Sequence, residues 1–242
     1  MKYILIIGDG MADDPLEELG GRTPLEVCSK PYFDSLSERG TLGLVQTIPE
    51  GFPPGSDTAI MSIFGCDPAK YFSGRAPLEL AASGGVMPEG GACYRCNMVT
   101  LGGDESLPFA EKTMVSHSAG SIEGEESDEL IEWLFGHEEF RPMAEAAGMS
   151  VRPGSSFRHL AVQENGDIAG IVLAPPHDHL GEQIGGILPA GNANAKTLLA
   201  LMEKANALLE HHPINEKRRA EGHLPANGIW FWAEGKGARL PN

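Results

Sequence analysis

The chain has 242 residues, with 18 Lys and Arg against 34 Asp and Glu, so its formal charge is −16. A surplus of that sign repels phosphate backbones and anionic lipid, which argues against a broad nucleic-acid surface or a charge-driven membrane surface. Hydrophobic residues make up 41%, enough for a core. Apolar runs such as Tyr3 to Ile7 are far too short to span a bilayer, and Met1-Lys2 before that run does not make an export signal, so a soluble, cytoplasmic protein is expected.

Tyr3-Ile4-Leu5-Ile6-Ile7 is a β-branched run closed by Gly8, the pattern of a strand buried on both faces, as in a parallel sheet. Asp9, between Gly8 and Gly10, then falls at the carboxyl end of that strand, where open α/β sheets place ligands. After a loop with Gly20-Gly21 and Pro24, Pro31 opens a helix to Arg39, with Phe33 and Leu36 inward and Gly40 as its stop. Thr41 to Ile48 reads as a second strand. Glu50-Gly51-Phe52-Pro53-Pro54-Gly55 is a rigid turn that delivers Ser56 as N-cap to a helix. Ala59, Ile60, Ile63 and Phe64 share one face of that helix, and Gly65 ends it. A second Gly/Pro-rich loop, Ser73 to Pro77, carries Arg75.

Tyr94 to Leu101 reads as a strand with small thiols packed inside. Cys93 and Cys96 form a C-x-x-C pair, but no second pair at matching spacing accompanies it, and Cys28 and Cys66 stand apart. All four are expected to be reduced thiols. Beyond residue 102 the texture changes. Ser121 to Glu129 is an acidic helix start continuing to Phe135. Phe157 to Gln163 and Ile168 to Ala174 are strand-like runs joined through Asn165-Gly166, a hairpin signal. Lys196 to His211 is an amphipathic helix, and the chain passes through His212-Pro213 and Lys217-Arg218-Arg219 to a strand at Ile229 to Ala233. Trp230 and Trp232 alternate along that strand and read as core.

Ser56 at a helix N-terminus faces outward-pointing backbone N–H groups that favour anions, so it is a candidate nucleophile. Its sequence neighbours offer Asp57 but no histidine, which makes a metal ion the plausible activator. The competing reading is structural: Ser56 caps the helix and Asp9 forms a turn.

Longer motifs carry a resemblance. In order they are Gly8-Asp9-Gly10-Met11, Glu18-Leu19-Gly20-Gly21-Arg22-Thr23-Pro24-Leu25-Glu26, Gly51-Phe52-Pro53-Pro54-Gly55-Ser56-Asp57 and Gly74-Arg75-Ala76-Pro77-Leu78-Glu79. Arg95-Cys96-Asn97, Phe157-Arg158-His159-Leu160, Pro175-Pro176-His177-Asp178, His212-Pro213-Ile214-Asn215 and Pro225-Ala226-Asn227-Gly228-Ile229-Trp230 follow. Together they resemble the archaeal-type cofactor-independent phosphoglycerate mutases of the alkaline phosphatase superfamily. The resemblance implies an α/β fold: a partial phosphatase-like sheet with helices on both faces and an inserted, smaller α+β domain. On that pattern residues 1–115 begin the metal domain, 116–226 form the inserted substrate-binding domain, and 227–242 begin the return.

By the same resemblance, Ser56 is the nucleophile of a phosphoserine route that interconverts 2- and 3-phosphoglycerate, a glycolytic step. Asp9 and Ser56 are metal ligands for two divalent ions, manganese or magnesium, with zinc in some relatives. Arg158 and His159 match a basic pair that holds substrate, with Arg95, His177 and Arg218 as further candidates. Fixed guanidinium forks suit a small trianion in a chain whose net charge is otherwise repulsive. Two departures stand against this. The family's later Asp-x-x-Gly-His and Asp-His ligand segments are not supplied by anything after Trp232, and Ser121 stands where the family usually has histidine. Two donors, Asp9 and Ser56, are then expected to hold divalent metal weakly and to give no turnover in these 242 residues. Another phosphotransferase or phosphomonoesterase of the superfamily, homoserine-kinase-like, or a silent fragment, are the rival readings, and an uncovered half-sheet favours self-association.

Overall fold

Strand β1, Ala92–Gly102, is the spine of the computed structural model, which describes residues 2–52 and 54–237. Eleven residues of pleat give it two different faces. On one edge it pairs antiparallel with β4 (Arg158–Gln163), with Arg95 opposite Leu160 and Asn97 opposite Arg158. On the other it pairs antiparallel with β5 (Gly228–Lys236), with Arg95 opposite Trp232, and at its last residues with β2 (Thr113–Ser116). Strand β3 (Met149–Arg152) extends the five-stranded sheet beyond β4.

Tyr94, Cys96 and Met98 project from one face of β1 into the main core. They meet Leu130, Ile131 and Leu134 of helix α6 (Glu125–Gly136) and Leu198, Leu201, Met202, Ala205 and Leu209 of α8 (Ala193–Leu209). Each of the Leu, Ile and Met side chains, fully buried, contributes about 1.5–3 kcal/mol from apolar transfer. Asn192 caps α8 by accepting the Ala195 N–H, and His212 caps α9 (Pro213–Ala220) through Nδ1. Helix α7 (Arg141–Ala146) lies between α6 and β3 in the chain. The opposite face of β1 is covered differently. There Cys93, Leu160 and Val162 pack with Ala76 and Leu80 of α5 (Arg75–Ala82). Gly74 makes this approach possible: its φ is +128°, and a Cβ there would lie 2.0 Å from the Glu234 carbonyl oxygen of β5. Arg75 and Glu79 thereby stand on the helix that covers this face, which begins at Arg75, inside the segment Ser73 to Pro77 that sequence pattern alone reads as a loop.

The chain is mixed α/β, and its two compact units are Met1–Lys70 and Tyr71–Asn242. That division falls at Lys70/Tyr71, and β1 pairs with β4 from beyond residue 115 and with β5 from beyond residue 226. In the first unit a capping box between Thr23 and Glu26 opens the short helix α1 (Pro24–Val27). Helices α2 (Pro31–Arg39) and α3 (Ser56–Ile63) form as the spacing predicts, and α4 (Pro68–Tyr71) follows. Phe33 and Leu36 are exposed, however, not inward. Residues 3–7 and 41–48 form no strand: Tyr3 is 87% exposed and Ile4 88%, with Leu42, Leu44 and Val45 exposed as well. A strand exists only through ladder partners, and no described residue supplies them here. Pro53 of the expected turn and the terminal Leu240-Pro241-Asn242 lie outside the described residues.

The hairpin expected at Asn165-Gly166 is also absent. Asn165 does adopt the left-handed conformation (φ 53°), but β1 and β3 already occupy both edges of β4. Residues 168–174 therefore leave the sheet, touching it by no ladder and making only the isolated bridge Val172 to Ala190. Cys93 and Cys96 are three apart on a strand and project to opposite faces. Burial pushes the Cys93 thiol up to about 12 and Cys96 higher still, so neither is a thiolate near neutrality. Among the described residues no helix is long and apolar enough to cross a membrane.

Candidate functional site

The face of the sheet under α5 carries a convergence of basic side chains. Arg95 is 3% exposed, with its guanidinium stacked 4.7 Å from the Trp232 ring centroid. Glu79 of α5 holds it from above: Arg95 Nε donates to Oε2 at 2.9 Å and Nη2 donates to Oε1. Arg75, one turn earlier, donates to the same Oε1 at 3.3 Å. Burial pushes the Glu79 carboxyl up, but the two guanidiniums outweigh it and hold the group below its ordinary value. Glu79 is thus ionised and already committed to two arginines.

Arg158 lies on the same face, two residues along the pleat from Leu160, with its guanidinium 4.8 Å from the Phe157 ring. Burial and the neighbouring charge of Arg95 lower its pKa, the signature of a cation held among cations. Two imidazoles complete the group. His117, in the loop after β2, meets Phe157 edge-on at 5.8 Å and His177 at 5.9 Å. His177 packs on Trp232 at 5.1 Å. Asn97 ties the parts together: its amide donates to the His117 carbonyl at 2.9 Å, and its oxygen accepts from Trp232 Nε1 at 3.0 Å. Burial lowers the His117 pKa, and His177 and Arg158 lower it further. The free cluster keeps that imidazole neutral because a further cation there is opposed. An incoming anion would reverse the balance.

Arg95, Arg158 and His177, singled out in the sequence, are thus brought together. His159 and Arg218 are not among them. Alternation on β4 turns His159 to the opposite face, fully buried. Its Nδ1 accepts the Gly154 N–H at 3.1 Å, leaving Nε2–H to donate to Ser127 Oγ at 3.1 Å. That tautomer is neutral, and burial lowers its pKa to about 4 despite Asp128 nearby. Arg218 is buried in α9, donating to Glu126 at 2.9 Å and to the carbonyls of Ala119 and Leu224. Each of its three guanidinium nitrogens donates within the fold. Spacing does not point to three members of the group: Arg75 falls in the Ser73 to Pro77 loop, Trp232 reads as core, against which it does pack, and His117 carries no signal except its place beside the Ser118-Ala119-Gly120-Ser121 segment.

His159 predicts an acid limb of stability. Between pH 6.5 and about 4 the unfolded chain binds a proton at this imidazole that the folded chain refuses, so stability falls as pH falls through that window. His117 and His212, also lowered, act in the same direction. From pH 7 to pH 5 the His159 share is on the order of 2 kcal/mol. Chemical denaturation at both pH values should show that loss, and His159→Gln should shrink it by that amount. An unchanged difference between the two pH values in the variant would refute the buried neutral imidazole.

In the Met1–Lys70 unit, Ser56 is the first residue of α3, and Gly55, not Ser56, occupies the N-cap. The serine is half-buried, and its hydroxyl has no hydrogen-bond partner among the described residues. Asp57 Oδ1 accepts both the N–H and the hydroxyl of Thr58. Asp9 is exposed in a turn after Gly8. Among the described residues no three His, Cys, Asp or Glu side chains are placed to share a metal ion. One carboxylate and one neutral hydroxyl do not fit a two-ion centre.

A family model described as 2,3-bisphosphoglycerate-independent phosphoglycerate mutase matches residues 37–215. A protein of that name from Methanosarcina acetivorans is 44% identical over 97% of this chain and 55% of its own length. Among solved structures, the PH0037 protein from Pyrococcus horikoshii superposes with a TM-score of 0.63 at 30% identity, covering 96% of this chain and 51% of the other. A cofactor-independent phosphoglycerate mutase from Thermoplasma acidophilum gives 0.50 at 25% identity, covering 96% and 59%. The chain spans about half the length of the curated relatives it matches.

Proposed function

Because this chain belongs to the 2,3-bisphosphoglycerate-independent phosphoglycerate mutase family, we propose that its basic cluster holds a phosphoglycerate during interconversion of the 2- and 3-phosphates. One observation carries the reading. In a chain of net charge −16, three arginines and two histidines converge with two carboxylates, of which Glu79 is saturated by two of the arginines and Asp178 lies 3.6 Å from His177 Nε2. Arg158 keeps a guanidinium fork for a carboxylate or phosphate, the geometry in which Arg binds bidentately. His117 gains a proton as the anion arrives and adds a donor.

Ser56 is proposed as the phosphoryl acceptor. Its Oγ forms a bond to phosphorus as the bond from phosphorus to the substrate oxygen breaks, and its proton passes to that freed oxygen. The reverse transfer to the other hydroxyl of the glycerate completes an isomerisation without net hydrolysis. The cluster binds the anion, and no step is assigned to a metal, because the donors among the described residues do not fit the expected pair of ions.

Titration calorimetry of the whole chain with 3-phosphoglycerate tests the cluster's part. Binding is expected, and Arg158→Met should weaken it about tenfold or more, since a charge-assisted hydrogen bond is worth about 1.5–3 kcal/mol. Glycerol 3-phosphate, which lacks the carboxylate, should bind more weakly than 3-phosphoglycerate. Equal affinity for the two ligands, or an Arg158→Met variant that binds like the parent, would overturn the assignment.

A further inference from the structure

Resting on the reading that the basic cluster holds a phosphoglycerate, we infer that Asn97 is a positioning residue whose amide holds the two imidazoles, His117 and His177, in place for that ligand without touching it. Asn97 is fully buried, on the face of β1 that also carries Arg95. Its Nδ2 donates to the His117 carbonyl at 2.9 Å, and its Oδ1 accepts from Trp232 Nε1 at 3.0 Å. Trp232 meets His177 edge-on at 5.1 Å, and His177 meets His117 edge-on at 5.9 Å. The contacts close a ring that runs from Asn97 to His117, His177 and Trp232 and back to Asn97.

The ring draws on separate segments. His117 follows β2, His177 lies in the short turn Pro176–His179, and Trp232 belongs to β5. The backbone of Asn97 faces its ladder neighbours Arg158 and Trp230, so its side chain is what reaches the His117 segment. A carbonyl only accepts and an indole N–H only donates, so the amide is locked in one orientation with both ends used. Leucine offers neither group, and an ionised aspartate has no donor, so the ring requires a donor and an acceptor on one short stem. Both tethers end on the imidazole pair, one through the His117 backbone and one through the Trp232 ring. That ring also carries the Arg95 guanidinium, 4.7 Å from its centroid, so the amide sets the plane on which a cation rests as well. Donors to a small anion act only when held at hydrogen-bond distance, and a rigid ring supplies that hold in advance of the ligand.

Calorimetry of the whole chain with 3-phosphoglycerate tests this in two backgrounds. Asn97→Ala is expected to weaken binding about tenfold. In a chain carrying both His117→Gln and His177→Gln, the same change should cost less than about twofold, because no imidazole is left to position. Glutamine keeps a side-chain donor at each place, so that background still binds. A purely structural asparagine would cost the same in either background. Should Asn97→Ala not fold, Trp232→Phe keeps a ring, loses the Nε1 donor and carries the test. Its loss should be about threefold or more in the parent and should vanish beside the two glutamines. Parent-like affinity in the variant, or a loss undiminished in the glutamine background, would overturn the inference. Arg158→Met separates the two readings. If it weakens binding while Asn97→Ala does not, the cluster stands and the positioning role falls; if it binds like the parent, the phosphoglycerate reading itself is removed.

Discussion

Glu79→Leu is expected to destabilise the Tyr71–Asn242 unit by about 3 kcal/mol and to cost more than Arg95→Met. The asymmetry follows from what each change leaves behind. Without Glu79, Arg95 remains 3% exposed with no carboxylate, beside Arg75 and Arg158. Without Arg95, Glu79 stays 35% exposed and keeps Arg75 at 3.3 Å, so solvent and a second cation soften the loss to about 2 kcal/mol. The double variant should recover much of the difference, because the buried charge and its counter-charge leave together. Urea denaturation of the four proteins measures this coupling. Strict additivity of the two single changes would show that the pair is not the structural heart of the cluster.

The second large effect is on chemistry. In a chimera joining this chain to the remaining part of the Methanosarcina acetivorans relative, Ser56→Ala is expected to reduce interconversion at least about 10⁴-fold, as loss of a nucleophile does elsewhere. Stability should change by no more than about 0.5 kcal/mol. The small second figure comes from the helix start: Gly55 is the N-cap, and among the described residues the Ser56 hydroxyl makes no hydrogen bond that alanine would lose. Retained turnover in Ser56→Ala would remove the phosphoserine route, and a large stability loss would return the residue to a structural role.

Much of the fold was legible where a local signal and the final partner agree. The helix from Pro31 to Arg39, the acidic start of α6, the long apolar stripe of α8 and the strands β1, β4 and β5 all form where periodicity places them. Non-local facts were illegible. Asn165-Gly166 turns the chain as its residues dictate, but whether a hairpin follows depends on which edges of β4 are free, and β1 and β3 take both. Residues 3–7 have a strand's composition and no ladder among the described residues.

The site shows the same limit. Arg95 and Arg158 were found as residues, but alternation decides which neighbour shares their face. It admits Asn97 and Trp232 and sends His159 into the core. Arg218 fitted the resemblance by type, and its three nitrogens each donate within the fold, to Glu126 and two carbonyls. Only the packed structure reveals that Glu79 neutralises part of the basic cluster by pairing with Arg75 and Arg95.

The most direct test of the cluster as the phosphoglycerate site is the proton affinity of His117. Its ring C–H resonance, assigned by comparison with His117→Gln, can be followed by NMR through a pH titration with and without saturating 3-phosphoglycerate. In the free chain the midpoint should fall below the ordinary histidine value, because burial and then His177 and Arg158 oppose the proton. With phosphoglycerate bound it should rise by about one pH unit or more, since one unit corresponds to about 1.4 kcal/mol of new interaction with the charged form. A midpoint that does not move at saturation would place the ligand elsewhere and contradict the cluster as its binding site.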